Sequence, residues 1–135
     1  MIYAVIDTNV IVSALLARKP ATATAGVLEA MLCRRIAPLY SKEILDEYSN
    51  VLSRTKFGFP QDLVEKVIRR IVENGTDLPR TSCNEIFPDP KDVVFYEVAL
   101  SRKDSFLVTG NTKHFPNTPI VVTPAEMMEI INRNS

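Results

Sequence analysis

Short apolar runs recur along the chain and each stops at a polar, glycine or capping residue: Ile2 to Ile6 before Asp7, Ile36 to Tyr40 before Ser41, Phe106 to Thr109 before Gly110, and Ile120 to Val122 before Thr123. Runs this short and continuous suit strands buried on both faces of a parallel sheet, where no face alternates with water. The stretches between them carry helical spacing and helix signals. Cap-type residues Asp7-Thr8-Asn9 precede the apolar segment Val10 to Leu16, and an Ala-rich pattern runs from Ala21 to Cys33, with the break expected at Pro20. Ser41 can cap a helix that runs through Ser53, and a further helix should start near Pro60 and stop at Asn74-Gly75. After a short extended piece around Leu78, Asp89 can cap and Pro90 can open a helix reaching about Lys103. Thr123-Pro124 opens a last helix containing Met127, Met128, Ile130 and Ile131. Strand and helix in alternation predict an α/β fold, a parallel sheet covered by helices on both faces.

At 135 residues the chain is long enough to bury one core and too short for two, so residues 1–135 are expected to form a single domain. Sixteen Lys and Arg balance sixteen Asp and Glu, so no global field draws the protein to nucleic acid or an anionic membrane, and any polyanion must be met by a local patch. The two cysteines, Cys33 and Cys83, have neither the spacing of a metal knuckle nor the density of a disulfide scaffold. They are expected to be buried thiols. The apolar N-terminus has no basic leader and is interrupted by Asp7 and Asn9, which suits neither a signal peptide nor a membrane span and leaves a cytoplasmic location as the expectation.

In open α/β sheets ligands bind beyond the carboxyl ends of the strands, where Asp7 and Asn111 stand. Asp7 can also be read as a plain helix N-cap. In the Ser41 helix the apolar positions Ile44, Leu45, Tyr48, Val51 and Leu52 define one face. At roughly 100° per residue, Asp46 points away from that face, whereas Glu47 lies on its border beside Ile44 and Val51. A border carboxylate can reach a cleft while its stem packs, although a solvated Glu on a helix flank is the bland alternative. Asp92 shares a stripe with Phe95 and Ala99, toward the packed side of its helix, and Asp89 is the better helix-terminus acid. Asp89 is therefore assigned to capping and Asp92 to the site. Three carboxylates gathered at one end of a sheet would repel unless a cation joined them, and oxygen ligands suit Mg2+ or Mn2+ better than Zn2+. Such a site polarises a phosphate and supplies a hydroxide nucleophile, which makes phosphodiester hydrolysis the natural chemistry.

Four blocks carry a resemblance. Val5-Ile6-Asp7-Thr8-Asn9-Val10, Ser41 to Tyr48 with Val51-Leu52, Asp89-Pro90-Lys91-Asp92 with Ala99, and Leu107 to Asn111 with His114-Phe115 resemble the PIN domain in order and spacing over nearly the whole chain. More closely they resemble its small prokaryotic branch, described as toxin components of toxin–antitoxin pairs. The resemblance implies a three-layer fold around a parallel sheet, an acid cluster at the strands' carboxyl ends, and Mg2+- or Mn2+-dependent endonuclease activity on RNA. By motif the acids are Asp7, Glu47 and Asp92, with Asn9 orienting the cluster and Thr109 lining it. It also implies an antitoxin protein as partner and a homodimer. Many members place an aspartate where this chain has Asn111. The amide still offers a carbonyl oxygen, but one charge fewer weakens a second metal site. His114, the single histidine, is a candidate general acid or phosphate contact, yet hydrolysis by this route does not require it.

Lys56, Arg69, Arg70, Arg102, Lys103 and Lys113 are the cations available to RNA phosphates, and none is singled out as a binding residue. Two other functions compete. A haloacid-dehalogenase-like phosphatase would want a second carboxylate two residues beyond Asp7, where Asn9 stands. A non-catalytic module would keep the fold and bind RNA or an antitoxin peptide, its acids serving only as caps.

Overall fold

A computed structural model of the chain describes residues 1–19 and 21–134. Five parallel strands form one sheet in the order β3-β2-β1-β4-β5: β1 Ile2–Ile6, β2 Ile36–Tyr40, β3 Thr76–Asp77, β4 Ser105–Val108 and β5 Val121–Val122. Among the described residues six α-helices flank it in a three-layer α/β arrangement: α1 Thr8–Leu16, α2 Ala23–Leu32, α3 Lys42–Leu52, α4 Gln61–Asn74, α5 Val93–Leu100 and α6 Pro124–Arg133. The expected apolar runs supply β1, β2, β4 and β5, with β4 shifted one residue earlier than Phe106 to Thr109 and β5 starting one residue after Ile120, and β2 is buried along its whole length.

Helix starts follow side-chain chemistry. The Oγ atoms of Thr22, Ser41 and Thr123 accept from the backbone N–H three residues on, and Glu126 returns a bond to the Thr123 amide to complete a capping box. Pro20, the expected break between the first two helices, lies outside the described residues.

Several boundaries differ from the sequence reading. The extended piece expected around Leu78 is the exposed pair Thr76–Asp77, with the Leu78 amide still bonded to the Tyr40 carbonyl. The helix expected from Pro90 to Lys103 begins as a 3-10 turn, Pro90–Asp92, and its α-helical part ends at Leu100. Gly75 stops α4 for a reason other than the left-handed turn usual at helix ends: its φ is −115°, and a Cβ there would stand 2.3 Å from the Pro38 carbonyl oxygen. Only glycine lets α4 end directly against β2. Neither cysteine is a buried thiol, since Cys33 is exposed and Cys83 half-buried. Cys33 is the residue that ends α2, beyond the helix's packed face, and Cys83 lies in the irregular segment between β3 and α5.

A hydrophobic core runs from Ala4 in β1 to Ile131 in α6. Helix α5 packs on β1, β2 and β4 and is buried from Val94 to Ala99, which leaves it apolar nearly all round. Among the described residues no helix is long and apolar enough to cross a membrane. Chain order reverses between β1 and β4: β1, β2 and β3 advance one way while β4 and β5 lie on the other side. The carboxyl ends of β1 and β4 therefore diverge into connections on opposite sides, the arrangement that opens a crevice.

Candidate active site

Asp7 stands at that crevice. Its amide donates to the Val108 carbonyl at 2.9 Å, which continues the β1–β4 ladder one residue beyond the strand, and its own carbonyl accepts from Val10 at 3.0 Å to start α1. Although Asp7 holds the N-cap position of α1, its side chain makes no capping bond, and from that helix only the adjacent Thr8 amide acts on the carboxylate. Asp7 Oδ2 instead accepts from the Thr109 hydroxyl at 2.7 Å, and Thr109 Oγ1 in turn accepts from the Asn111 amide at 3.0 Å. Thr109 is fully buried. It does not line the cavity, as expected from the motif, but supports Asp7 from beneath.

A cavity of about 300 Å3 opens here, walled by Asp7, Thr8, Asn9, Glu47, Asp92, Asn111 and His114, with Val12, Ser13, Val51 and Phe57 completing it. The three acids singled out from the sequence thus arrive from three elements. Asp7 follows β1, Glu47 projects from the flank of α3 between buried Ile44 and Val51, and Asp92 closes the 3-10 turn before α5. Their neighbours behave differently. Asp46 is exposed and pairs with Lys42 at 2.8 Å, and Glu43 pairs with Arg80 at 2.9 Å. Asp89 caps the Pro90 turn, accepting from the Lys91 amide at 3.0 Å, while Asp92 makes no side-chain capping bond. Asn9 faces the same cavity but bonds none of the acids; its Oδ1 is 3.5 Å from the Gly110 amide, a weak tie between α1 and the loop after β4.

The electrostatics are those of acids short of positive charge. Burial pushes the Asp7 carboxyl up to about 6, the Thr109 hydrogen bond opposes the rise, and the charges of Asp92 and Glu47 add to it. The Asp92 carboxyl is also raised, first by burial and then by Asp89, with His114 opposing. His114 Nδ1 lies 3.4 Å from Asp92 Oδ2, beyond ordinary N–H···O range, and that buried oxygen has no hydrogen-bond partner. Thr8 Oγ1, on the same cavity, is buried and unpartnered too. Beneath the site the Tyr48 hydroxyl donates to the Ile6 carbonyl and locks α3 onto the end of β1, fixing the turn of helix that carries Glu47.

A buried carboxylate oxygen whose nearest donor is His114 at 3.4 Å, carboxyls raised by burial and then by neighbouring charge, and the amides of Asn9 and Asn111 on the same cavity are a donor set that fits a hard divalent cation. Among the described residues no three His, Cys, Asp or Glu side chains stand close enough to clasp an ion unaided. Mg2+ does not need such a cage, since it keeps several waters and binds through one or two carboxylates plus a substrate phosphate.

Thr8, Ser13 and Phe57 were not signalled by the sequence. Thr8 sits inside the Asp7-Thr8-Asn9 block and could have been included on position, whereas nothing local distinguishes Ser13 or Phe57 from solvated helix and loop residues. Of the candidate cations, Arg102 lies 3.5 Å from the Tyr3 ring centroid and Lys56 5.1 Å from that of Phe57. A family model described as PIN domain matches residues 3–113. No curated protein and no solved structure matches the chain.

Proposed function

Because this chain belongs to the PIN-domain family, whose members are generally nucleases that use divalent metal ions, we propose that it is a Mg2+- or Mn2+-dependent endoribonuclease with Asp7, Glu47 and Asp92 as its metal-holding acids. The observation that carries this reading is the pair Asp7 and Asp92: both occupy helix-start positions, neither caps its helix, and both carboxyls are raised on one shared cavity. A carboxylate retained for stability alone would take the cap. When bound, the cation would neutralise the acids, polarise the scissile phosphate and activate the attacking water. The chain's own residues do the rest. Thr109 fixes the rotamer of Asp7, Tyr48 fixes the height of α3 and so of Glu47, and Asn111 and Asn9 offer neutral oxygens at the rim. Asn111 in place of an acid favours one tightly held ion over two.

As in the toxin–antitoxin branch that the sequence resembles, we assign the protein the toxin role, acting in the cytoplasm with an antitoxin partner and as a homodimer. A neighbouring reading frame whose product silences the nuclease on co-expression supports that role, and one without effect removes it. The nuclease reading itself is tested with purified protein and single-stranded RNA. Cleavage should require Mg2+ or Mn2+ and cease in EDTA; cleavage that persists in EDTA, once contaminating nuclease is controlled for, refutes the metal dependence.

A further inference from the structure

Phe57 shares the wall of the acid cavity although it comes from none of the motif blocks. It ends the 3-10 turn Thr55–Phe57 that follows α3, so the helix that carries Glu47 and Val51 to the cavity also delivers this ring. The ring is half-buried and lies outside the hydrophobic core, whereas Phe59 is packed against that core. The two rings stack with centroids 5.6 Å apart and planes within 14°. Gly58 makes this possible, because its φ of +67° folds the chain back so that residues two apart present parallel faces. The result is a two-ring column, with its foot against the core and its top at the acid-lined cavity.

Packing accounts for the contact of Phe57 with Phe59 but not for a ring at the cavity wall, since Phe59 alone reaches the core. The surroundings suit a nucleic acid strand. Lys56 Nζ lies 5.1 Å from the Phe57 ring centroid, and Arg54, at the start of the same 3-10 turn, is exposed as Lys56 is, so the turn that carries the ring also carries two exposed cations. An exposed lysine over a ring is held weakly and can swing to a phosphate when a base takes its place. Aromatic rings accept any nucleobase face, but only in an unpaired strand, because a base inside a duplex already has both faces covered.

We propose that Phe57 is a base-stacking platform beside the catalytic acids, binding an unpaired nucleobase adjacent to the scissile phosphate and making the site selective for single-stranded RNA. This rests on the nuclease reading above. The acids and their cation hold the phosphate, Phe57 holds the neighbouring base, and Lys56 and Arg54 meet the backbone phosphates beyond it.

The test uses the full chain with Mn2+, a short single-stranded oligoribonucleotide, the same sequence closed into a hairpin stem, and a single-stranded version lacking the base next to the cleaved bond. Wild type should cleave the single strand well and the stem poorly. Loss of the base should raise its KM roughly 5- to 150-fold, with a smaller change in kcat. Phe57→Leu, which keeps apolar bulk without a ring, should raise KM on the intact strand by a similar factor and be indifferent to the missing base; Phe57→Trp should behave as wild type. A Phe57→Leu protein with wild-type KM, or a wild-type protein indifferent to the missing base, overturns the platform and leaves the nuclease standing. The second result needs no variant to fold. A wild-type protein that cleaves no RNA takes both readings down together.

Discussion

The replacement Asp7→Asn should stabilise the metal-free protein at neutral pH. Asn keeps the shape of the side chain and an oxygen to accept from Thr109, and removes only the charge. The folded carboxyl titrates near 6 against an ordinary 3.8, so folding holds a proton that the unfolded chain has already released between those values. Stability from this group is therefore fully present below pH 4, declines as pH rises through 6, and is constant above that. The gap corresponds to about 3 kcal/mol at pH 7, an upper bound because water and cations relax around a crevice. Urea unfolding in EDTA from pH 4.5 to 7.5 measures it. Wild type should lose ground to Asp7→Asn across that range, until the midpoints differ by about 1–3 M urea. Mg2+ should then return the advantage to wild type by mass action, by about 2.7 kcal/mol at a hundred times its Kd, and shift Asp7→Asn much less. Parallel stability curves at every pH, or an Asn variant weaker than wild type in EDTA at pH 7, would refute the reasoning, since either result makes Asp7 a satisfied structural acid.

Turnover should separate the acids that face the cavity from those that do not: Asp92→Asn should abolish RNA cleavage and Glu47→Gln reduce it strongly, while Asp46→Asn and Glu43→Gln, whose partners are exposed Lys42 and half-exposed Arg80, should change it little. An Asp46→Asn protein as impaired as Glu47→Gln in a gel assay would place the wrong face of α3 at the cavity. Glu97→Gln should act oppositely to Asp7→Asn, lowering stability by about 1–3 kcal/mol at pH 7, because it breaks charge-assisted bonds to Arg80 and the Cys83 amide. That loss should shrink as pH falls below the usual carboxylate range, since the Glu97 carboxyl is held low and its contribution is present only while it is ionised. A melting curve unchanged by Glu97→Gln would show that the bonds count for nothing.

What the sequence made legible is what local chemistry dictates. Ile2–Ile6 and Ile36–Tyr40 are strands over the expected residues because central strands buried along most or all of their length need continuous apolarity, and Ser41, Asp89 and Thr123 cap because their oxygens reach an amide two or three residues on. The register of Glu47 against Asp46 follows from helical spacing alone. The misplaced features depend on partners far along the chain. Thr76–Asp77 carries no apolar signal and is a strand only because the edge of β2 offers unpaired backbone. Gly75 is required by Pro38, across the sheet, and not by its own turn. Thr109 reads as the end of a strand, and its support of Asp7, 102 residues earlier, exists only once β1 and β4 are side by side. Phe57-Gly58-Phe59 reads as loop for the same reason.

The clearest separation of structural from functional acids comes from comparing acids within this one molecule. Glu97 is buried in a helix that is otherwise apolar, the setting in which a carboxylate should be most costly. The fold answers with the Cys83 amide, which outweighs that burial and with Arg80 draws the carboxyl below its usual range. Asp7 and Asp92 receive no such answer. No Lys or Arg side chain forms a salt bridge with either among the described residues; Asp7 has the Thr109 hydroxyl and the Thr8 amide, Asp92 has a histidine at 3.4 Å, and the charge of Asp92 adds to the rise of the Asp7 carboxyl. A chain that can surround a buried acid with donors in one place and withholds them in another leaves its unmet charge where an incoming cation can use it. Strongly perturbed acids in a cleft are a recognised mark of a working site. Here Glu97 shows that a carboxylate within a packed helix is drawn low when donors and a positive partner are supplied, whereas the two cavity acids, raised first by their burial, lack that supply.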